Sequence, residues 1–405
     1  MTNQSERLYY LDWLRVFAFG LLFVFHAARF FDDFGWHVKN EDHSTLVNLL
    51  VGFTHGWRMH LIFFISGAGT FFALRSRKKL FVADRFKRLI VPYLFGIVLL
   101  VPPQKFLEAI SNEWFSGSFL QFLAGYPAWL MNYHPGVTLE WTGHLGYHIW
   151  YLAFLFVMTL VFIPLLKLIS KPSLINRVLQ YLSNKKLGLL VFIVPVVVTE
   201  VLLRPNHGDY LNWADFFQYG MFFIAGYIFM TQQGFIELSR KYTYMFLIAG
   251  IGTSAYILTH YPTITEGGTI FKSAINSTIL VSSSFSWVLF FLGISQRKLN
   301  FNHKYLNRLN SGVLPFYILH QTVIIVIGFY IVGLEYSILT KYTIILISSL
   351  IATLALYQLI QRISALRLLF GMKVQVSHQK SRNEENGNTF FRNFYKKAKL
   401  INQLK

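Results

Sequence analysis

The chain has 405 residues, of which 54% are hydrophobic and only 14% charged, and its mean hydropathy is +0.44. These values exclude an ordinary soluble domain, and the absence of cysteine excludes disulfide bonds, thiolate catalysis and cysteine-bound zinc. The net charge of +19 comes from basic residues that cluster in particular loops, so it predicts contact with the headgroups of a lipid bilayer and not with nucleic acid.

Ten apolar runs are long enough to cross a membrane or nearly so. They cover approximately residues 8–28, 47–74, 89–109, 148–169, 187–203, 213–231, 243–260, 270–293, 312–333 and 342–361. The first run carries Asp12 and Arg15 and has no small-residue cleavage site after it, so we interpret it as a retained span and not as a signal peptide. The third run contains Pro102 and Pro103, which predict a kinked helix whose freed backbone groups need a protein or water partner. The pattern predicts an all-α integral membrane protein with about ten transmembrane helices.

Lys and Arg are concentrated in every second loop. The counts are seven in 75–88, five in 167–186, four in 294–308 and ten in 362–405. The loops between them are nearly bare, so the positive-inside rule places both termini in the cytoplasm. We divide the chain into a membrane domain at 1–370 and a basic, disordered cytoplasmic tail at 371–405, because the tail is polar and has almost no apolar periodicity.

The segment from about 110 to 147 contains no Lys or Arg and is rich in aromatic residues, among them Trp129 and Trp141. Two interpretations are open. One is an aromatic belt at the membrane interface, with a short re-entrant helix near 119–131. The other is an aromatic platform on which sugar rings stack.

The first run also carries the most informative polar pair, Arg15 and His26. Eleven residues of α-helix advance about 16 Å and complete three turns plus roughly 20°, so both side chains share one face. Asp12, Phe19, Leu22 and Arg29 fall on the same stripe. Ionisable residues inside a membrane span are costly and usually face a cavity or a partner. We therefore expect this stripe to line a polar shaft that runs through the membrane.

Further polar residues lie in or beside other runs. They are His55 and Arg58, Arg85 and Arg88, His148 and Trp150, and His320. Taken singly, each has an ordinary explanation. A lone intramembrane histidine usually bonds to a neighbouring helix, and Arg85 and Arg88 can be topology signals. No set of these residues has the spacing of a metal site, so we expect no metal.

Several motifs occur together in a fixed order. They are Leu11-Asp12-Trp13-Leu14-Arg15 with His26; Trp36-His37-Val38; His55 with Arg58-Met59 and Phe63-Phe64-Ile65-Ser66-Gly67; Arg85-x-x-Arg88 with Pro92; His148-x-Trp150; and Phe316-Tyr317-Ile318-Leu319-His320. In their order and spacing, over about 10–370, the chain resembles the acyltransferase-3 family of multi-span membrane acyltransferases. Within that family it looks most like the branch of the periplasmic glucan succinyltransferases.

The resemblance implies a function. Members of this family move an acyl group from cytoplasmic acyl-CoA to a carbohydrate or similar acceptor on the outer side. It implies acyl-CoA as co-substrate, an acetyl or succinyl group as cargo, a glycan hydroxyl as acceptor and a multi-pass protein of the bacterial inner membrane. The functional Arg and His of the family fall on Arg15 and His26, and its R-x-x-R motif falls on Arg85 and Arg88.

The chemistry of the residues agrees with this implication. Acyl transfer to a hydroxyl needs a base near the hydroxyl, for which a neutral His26 is suited. Arg15 is placed to bind phosphates or carbonyls of a donor that enters past Arg85 and Arg88. Asp12, His55, Arg58, His148, Trp150 and His320 are further candidates for the polar site. The competing hypothesis is a transporter or flippase, because a polar shaft and a proline-broken helix also suit alternating access. The sequence leaves the acyl group, the acceptor and the oligomeric state open.

Overall fold

The computed structural model describes residues 7–76, 79–132, 138–265 and 269–372. Within these ranges all regular secondary structure is helical. Apart from Gly371 and Met372, the predicted tail at 371–405 lies outside the described residues.

Eighteen α-helices follow one another along the chain. They are α1 Tyr9–Ala28, α2 Thr45–His55, α3 Arg58–Ser76, α4 Phe81–Arg85, α5 Val91–Leu99, α6 Val101–Ser111, α7 Phe119–Met131, α8 Trp141–Gly146, α9 Trp150–Ser170, α10 Leu174–Ser183, α11 Ile193–His207, α12 Trp213–Thr231, α13 Gln233–Lys241, α14 Thr243–Thr265, α15 Ile270–Lys298, α16 Leu306–Val332, α17 Ile338–Ile360 and α18 Ser364–Leu369. A π-helical turn, Phe86–Ile90, joins α4 to α5, and 3₁₀ turns at Tyr147–Ile149 and Gly188–Phe192 precede α9 and α11.

The expected all-α membrane architecture is confirmed. Among the described residues, seven helical segments are long and apolar enough to cross a membrane, or nine if each of two bent helix pairs is one span. The remaining predicted run, 213–231, forms α12, which is not one of the nine. The polar side chains of Asp215 and Gln218 make α12 less apolar, and the helix lies inside the bundle, where most of its side chains are buried.

The predicted kink in the third run is present. The axes of the helices on either side of Leu100 differ by 41°. The Leu100 carbonyl accepts hydrogen bonds from Gln104 Nε2, at 2.9 Å, and from Thr322 Oγ1, at 3.2 Å. Side chains thus satisfy the backbone at the break, and they connect it to α16.

The most extensive helix contact joins α3 to α12. A Cβ atom on Gly67 would lie 1.8 Å from the Phe223 carbonyl oxygen, and one on Gly226 would lie 1.9 Å from that of Phe64. Only glycine at both positions allows so close an approach, and small residues are the usual means of tight packing between membrane helices. This crossing fixes α3, which carries residues from Arg58 to Thr70 along the interior of the bundle.

The bundle has two ends that matter for the site. At one end, Arg7 bonds to Asn307, and the Arg88 backbone lies against Gly371. We call this end, where α1 and α16 begin, the Arg15 side, and the end where α1 stops the His26 side. The described parts of the basic segments, residues 75–76, 79–88 and 294–308, lie at the Arg15 side. The side that faces the cytoplasm stays a prediction.

Candidate functional site: two polar regions separated by aromatic rings

Arg15 and His26 lie on one unbroken helix, α1, so the rise between them is about 16 Å. Both are half-buried, whereas Phe19 and Leu22 between them are buried. Arg29 follows the end of α1, and it binds the Asp32 carboxylate at 2.6 Å and the Gly35 carbonyl at 2.7 Å.

On the Arg15 side, Asn310 of α16 lies between the two charged residues of the stripe. Arg15 Nη1 donates to Asn310 Oδ1 at 3.2 Å, and Asn310 Nδ2 donates to Asp12 Oδ1 at 2.6 Å. Asp12 also pairs with Arg7 at 2.6 Å. An amide therefore links Asp12 to Arg15 while leaving most of the donors of the Arg15 guanidinium unused. The guanidinium passes close to Gly69, where an added Cβ would lie 3.1 Å from Nη2.

Arg85 joins Arg15 at this end. Its Nη2 donates to Thr70 Oγ1 at 2.6 Å, one residue from Gly69. Arg88, by contrast, is exposed, because the chain between the two arginines enters the π-helical turn. The structure thus brings Arg85 into the interior beside Arg15 and leaves Arg88 at the entrance. π-helical turns are frequent at functional sites.

Three aromatic rings lie between the Arg15 and His26 levels. Phe19 contacts Tyr317 at 5.5 Å and Tyr151 at 6.2 Å between ring centroids, and Tyr151 contacts Tyr317 at 5.7 Å. All three side chains are buried. We call Phe19, Tyr151 and Tyr317 the aromatic layer. These buried ring contacts lie where the stripe predicts a continuous polar shaft, and they separate its Arg15 level from its His26 level.

Hydrogen bonds hold two rings of this layer. Tyr151 OH and Ser66 Oγ lie 2.5 Å apart, and Tyr317 OH donates to the His148 carbonyl at 2.5 Å. The layer therefore connects the helix that carries Thr70 to the chain around His148. Its closure depends on contacts between side chains.

On the His26 side, the His26 ring stacks on Trp36, with centroids 6.1 Å apart and planes 17° apart. The ring of His320 approaches from α16 to 5.1 Å. Among the described residues, neither His26 Nδ1 nor His320 Nε2 has a hydrogen-bond partner, although both atoms are buried. Buried polar atoms without partners are rare and call for an explanation, often a catalytic one.

The hydrogen bonds define the proton positions on the other two imidazoles. His320 Nδ1 donates to the Tyr317 carbonyl at 2.5 Å, so its Nε2 carries a lone pair in the neutral ring. His148 Nε2 donates to the Ile318 carbonyl at 2.9 Å, and its Nδ1 accepts from Gln104 at 3.3 Å. His148 is thus fully bonded, as a structural histidine should be, whereas His320 keeps one nitrogen free for chemistry.

Arg58 and His55 lie at the edge of this region. Arg58 is buried, lies 3.5 Å from the centroid of the Phe25 ring, and approaches His55 Nδ1 to 3.1 Å. His55 is the last residue of α2 and Arg58 the first of α3, so their contact lies at the junction of the two helices. Trp150 is buried, and its ring edge contacts Tyr210 at 6.1 Å.

The aromatic segment 110–147 packs on itself. The predicted helix near 119–131 is present as α7. Trp129 stacks on Tyr126 at 5.4 Å and on His144 at 4.6 Å, and Lys105 lies 5.1 Å from its ring centroid. Because these contacts occupy the Trp129 ring, they favour the interfacial belt over the sugar platform. Tyr133 lies outside the described residues.

Asn310, Tyr151 and Gln104 are parts of the site that sequence reasoning missed. Each is a common residue in an apolar helix, and its role arises only from contacts with distant helices. Among the residues that the structure describes, no group of three or more His, Asp or Glu side chains is placed to hold a metal ion.

The chain is also similar to known proteins over most of its length. The family described as "Acyltransferase domain", acyltransferase 3, matches residues 8–358. The proteins named glucans biosynthesis protein C from Salmonella typhimurium and Salmonella typhi are each 25% identical over 390 residues, covering 93% of this chain and 97% of theirs. The one from Salmonella paratyphi B is 26% identical over the same length. No solved structure matches.

Proposed function

The chain belongs to the acyltransferase-3 family, and we propose that it moves an acetyl or succinyl group from acyl-CoA, bound on the Arg15 side, to a hydroxyl of a glycan bound on the His26 side. The likeness to glucans biosynthesis protein C supports a glucan as the acceptor. In this proposal the Arg15 side faces the cytoplasm, and the protein lies in the bacterial inner membrane.

The observation that carries the proposal is the arrangement along α1. Arg15 and Arg85 gather at one level, and His26 and His320 meet about 16 Å further along the helix. Coenzyme A has an anionic head and a long, narrow arm that ends in a thiol. Such a molecule matches a site with cations at its entrance and a base at its far end.

Arg85 and Arg15 bind the phosphates of the donor. The planar guanidinium makes two parallel hydrogen bonds to a phosphate, and Arg88 adds positive charge at the exposed entrance. Acyl-CoA is a substrate that must enter and leave, so a partly exposed cluster suits it better than a closed cage.

His26 acts as the general base. It takes the proton from the acceptor hydroxyl while the oxygen attacks the thioester carbonyl. The C–S bond then breaks, the thiolate of coenzyme A leaves, and the proton passes from His26 to that thiolate. Arg58, whose Nε is buried and has no partner among the described residues, supplies a donor and a positive charge near the developing oxyanion.

The aromatic layer has a place in this scheme. The arm of the donor has to pass Phe19 for its thioester to reach His26, so the rings move aside when the donor binds. A layer that closes again afterwards keeps water and ions from crossing the membrane.

A reconstituted system tests the proposal. The purified protein is placed in vesicles with acyl-CoA on the Arg15 side and glucan on the other, and the glucan is examined by mass spectrometry. Acylated glucan that appears only with both substrates is the expected result. Passage of unmodified glucan without acyl-CoA would instead identify a transporter.

A further inference from the structure

One aromatic side chain on the His26 side has a large exposed surface although it lies next to buried residues of the site. Tyr210 lies in the loop between α11 and α12, and 63% of its surface is exposed. The Tyr210 ring lies beside the buried ring of Trp150, with centroids 6.1 Å apart, and near the positive charges of Arg58 and Arg29. Tyr210 therefore lies beside the site with an open face, and we call the space in front of this face the recess.

This recess adjoins Trp150, one of the candidate site residues. The ring of Tyr210 meets the edge of Trp150, and the charge of Arg58 that acts on Tyr210 also acts on His26. No described residue hydrogen-bonds to the Tyr210 hydroxyl. A ring with exposed surface and a free hydroxyl therefore lies beside Trp150 and near Arg58, at the edge of the His26 region.

The loop that carries Tyr210 is held under strain. Leu211 is fully buried and adopts a φ of 64°, a left-handed conformation that is costly for a branched side chain. Its backbone N–H donates to Asp215 Oδ2 at 2.9 Å. Such strain persists only where the surroundings determine the conformation, and it is typical of functional loops.

A chain of ionic contacts and hydrogen bonds holds this loop in its strained conformation. Arg204 Nη1 donates to Asp215 Oδ1 at 2.7 Å, and the same guanidinium binds both oxygens of Glu200 at 2.8 and 2.9 Å. Asn212 Nδ2 donates to Glu140 Oε1 at 2.9 Å, which ties the loop to the chain before α8. Asp215 and Glu140 thus bind the loop directly, and Arg204, held by Glu200, binds Asp215. The loop so fixed presents Tyr210 to the recess.

We propose that Tyr210 is the acceptor platform: a sugar ring of the acceptor stacks on its face, and its hydroxyl bonds to the sugar. The inference rests on the proposed function and deepens it by naming an acceptor-binding residue. The apolar face of a pyranose ring packs on a flat aromatic ring, while its hydroxyls bond at the edge. Arg204 and Asp215 are positioning residues, because they act only through the loop.

The test compares three variants of the purified full chain in lipid nanodiscs. Tyr210→Ala removes the platform, Tyr210→Phe removes only the hydroxyl, and Tyr336→Ala is the matched control. Tyr336 is 58% exposed, lies in the loop between α16 and α17 on the same side, and belongs to a different loop from Tyr210. The readouts are acyl transfer and calorimetric binding of a linear glucan tetrasaccharide without acyl-CoA.

Tyr210→Ala should raise the KM for the acceptor and weaken tetrasaccharide binding by about tenfold or more, with the KM for acyl-CoA and kcat within about twofold. Tyr210→Phe should give a smaller change in the same direction, and Tyr336→Ala none. Arg204→Lys keeps the charge but loses the fork, so it should also raise only the acceptor KM. An unchanged acceptor KM in Tyr210→Ala, or an equal effect on the donor KM, overturns the inference.

The two proposals fail separately. If the wild-type protein binds the tetrasaccharide through Tyr210 but transfers no acyl group, the proposed function is wrong and the sugar site stands. If Tyr210→Ala transfers acyl groups with wild-type constants, the acyltransferase stands and the assignment of Tyr210 is wrong. If Tyr210→Ala unfolds at the same temperature as the wild-type protein, its loss of tetrasaccharide affinity does not result from misfolding.

Discussion

The imidazole of His320 lies 5.1 Å from that of His26, although α1 and α16 stand near opposite ends of the chain. Each ring has one buried nitrogen with no partner among the described residues. His148, 5.4 Å from His320, has both nitrogens bonded. Unsatisfied buried nitrogens cost stability, and here two of them lie on imidazole rings that face each other, so we interpret the pair as functional and His148 as its support.

The aromatic layer predicts how the protein controls water. Phe19→Ala should open a gap between the Arg15 and His26 levels, because Phe19 contacts both other rings of the layer. Water then reaches a bound thioester. We expect hydrolysis of acyl-CoA in the absence of acceptor to rise about tenfold or more, measured by release of the free thiol.

A matched truncation separates this effect from general loosening. Phe71 of α3 is as buried as Phe19 but contacts Phe72 and Tyr227 instead of the layer. Phe71→Ala should destabilise the fold to a similar extent, by about 3–5 kcal/mol, without hydrolysis. Equal hydrolysis in the two variants would show that the layer has no special role.

We expect Arg85 and Arg88 to respond differently to substitution by lysine. Arg85→Lys keeps the charge but cannot reproduce the fork that reaches Thr70, so the KM for acyl-CoA should rise about tenfold while membrane insertion is unchanged. The exposed Arg88 should tolerate lysine better. Donor affinity is measured by titration of acyl-CoA at saturating acceptor. An unchanged donor KM in the variant with both arginines replaced by lysine would show that the two residues only set the topology of the protein in the membrane.

Trp129 should matter for stability and not for the acceptor. Its ring stacks on Tyr126 and His144 and lies beside Lys105, so Trp129→Ala should cost about 1–3 kcal/mol. We expect a lower temperature of thermal unfolding and an unchanged acceptor KM in the folded fraction. A raised acceptor KM at normal stability would instead support the interpretation of segment 110–147 as a platform for sugar rings.

The sequence was sufficient for nine of the ten predicted spans, the kink at Pro102 and the shared face of Arg15 and His26, because periodicity, proline and helix geometry act locally. It was not sufficient for the aromatic layer. Phe19 belongs to the predicted stripe, but its closure needs Tyr151 and Tyr317 from two distant helices. The Tyr210 loop could not be predicted from the sequence either. Opposite charges such as Arg204 and Asp215 can be expected to pair, but the sequence does not show which aromatic ring the pair positions.

The orientation of the bundle has a direct test because the natural chain contains no cysteine. Ser116→Cys lies in the loop after α6 on the His26 side, and Lys186→Cys lies in the basic segment 167–186. In intact cells a membrane-impermeant maleimide should label the first variant, and it should label the second only after lysis. The reverse pattern would place the Arg15 side outside and contradict a cytoplasmic donor.

The central claim is that His26 removes the proton from the acceptor. His26→Gln keeps the size and hydrogen bonding of the side chain but cannot take a proton at neutral pH. The variant should bind acyl-CoA and glucan normally and lose about 10²–10⁴-fold in kcat. His43→Gln, at an exposed histidine of the loop after α1, serves as the control and should keep full activity. Single-turnover acyl transfer in the purified variants measures this most directly: a near wild-type rate in His26→Gln would contradict the account and make His320 the next candidate for the base.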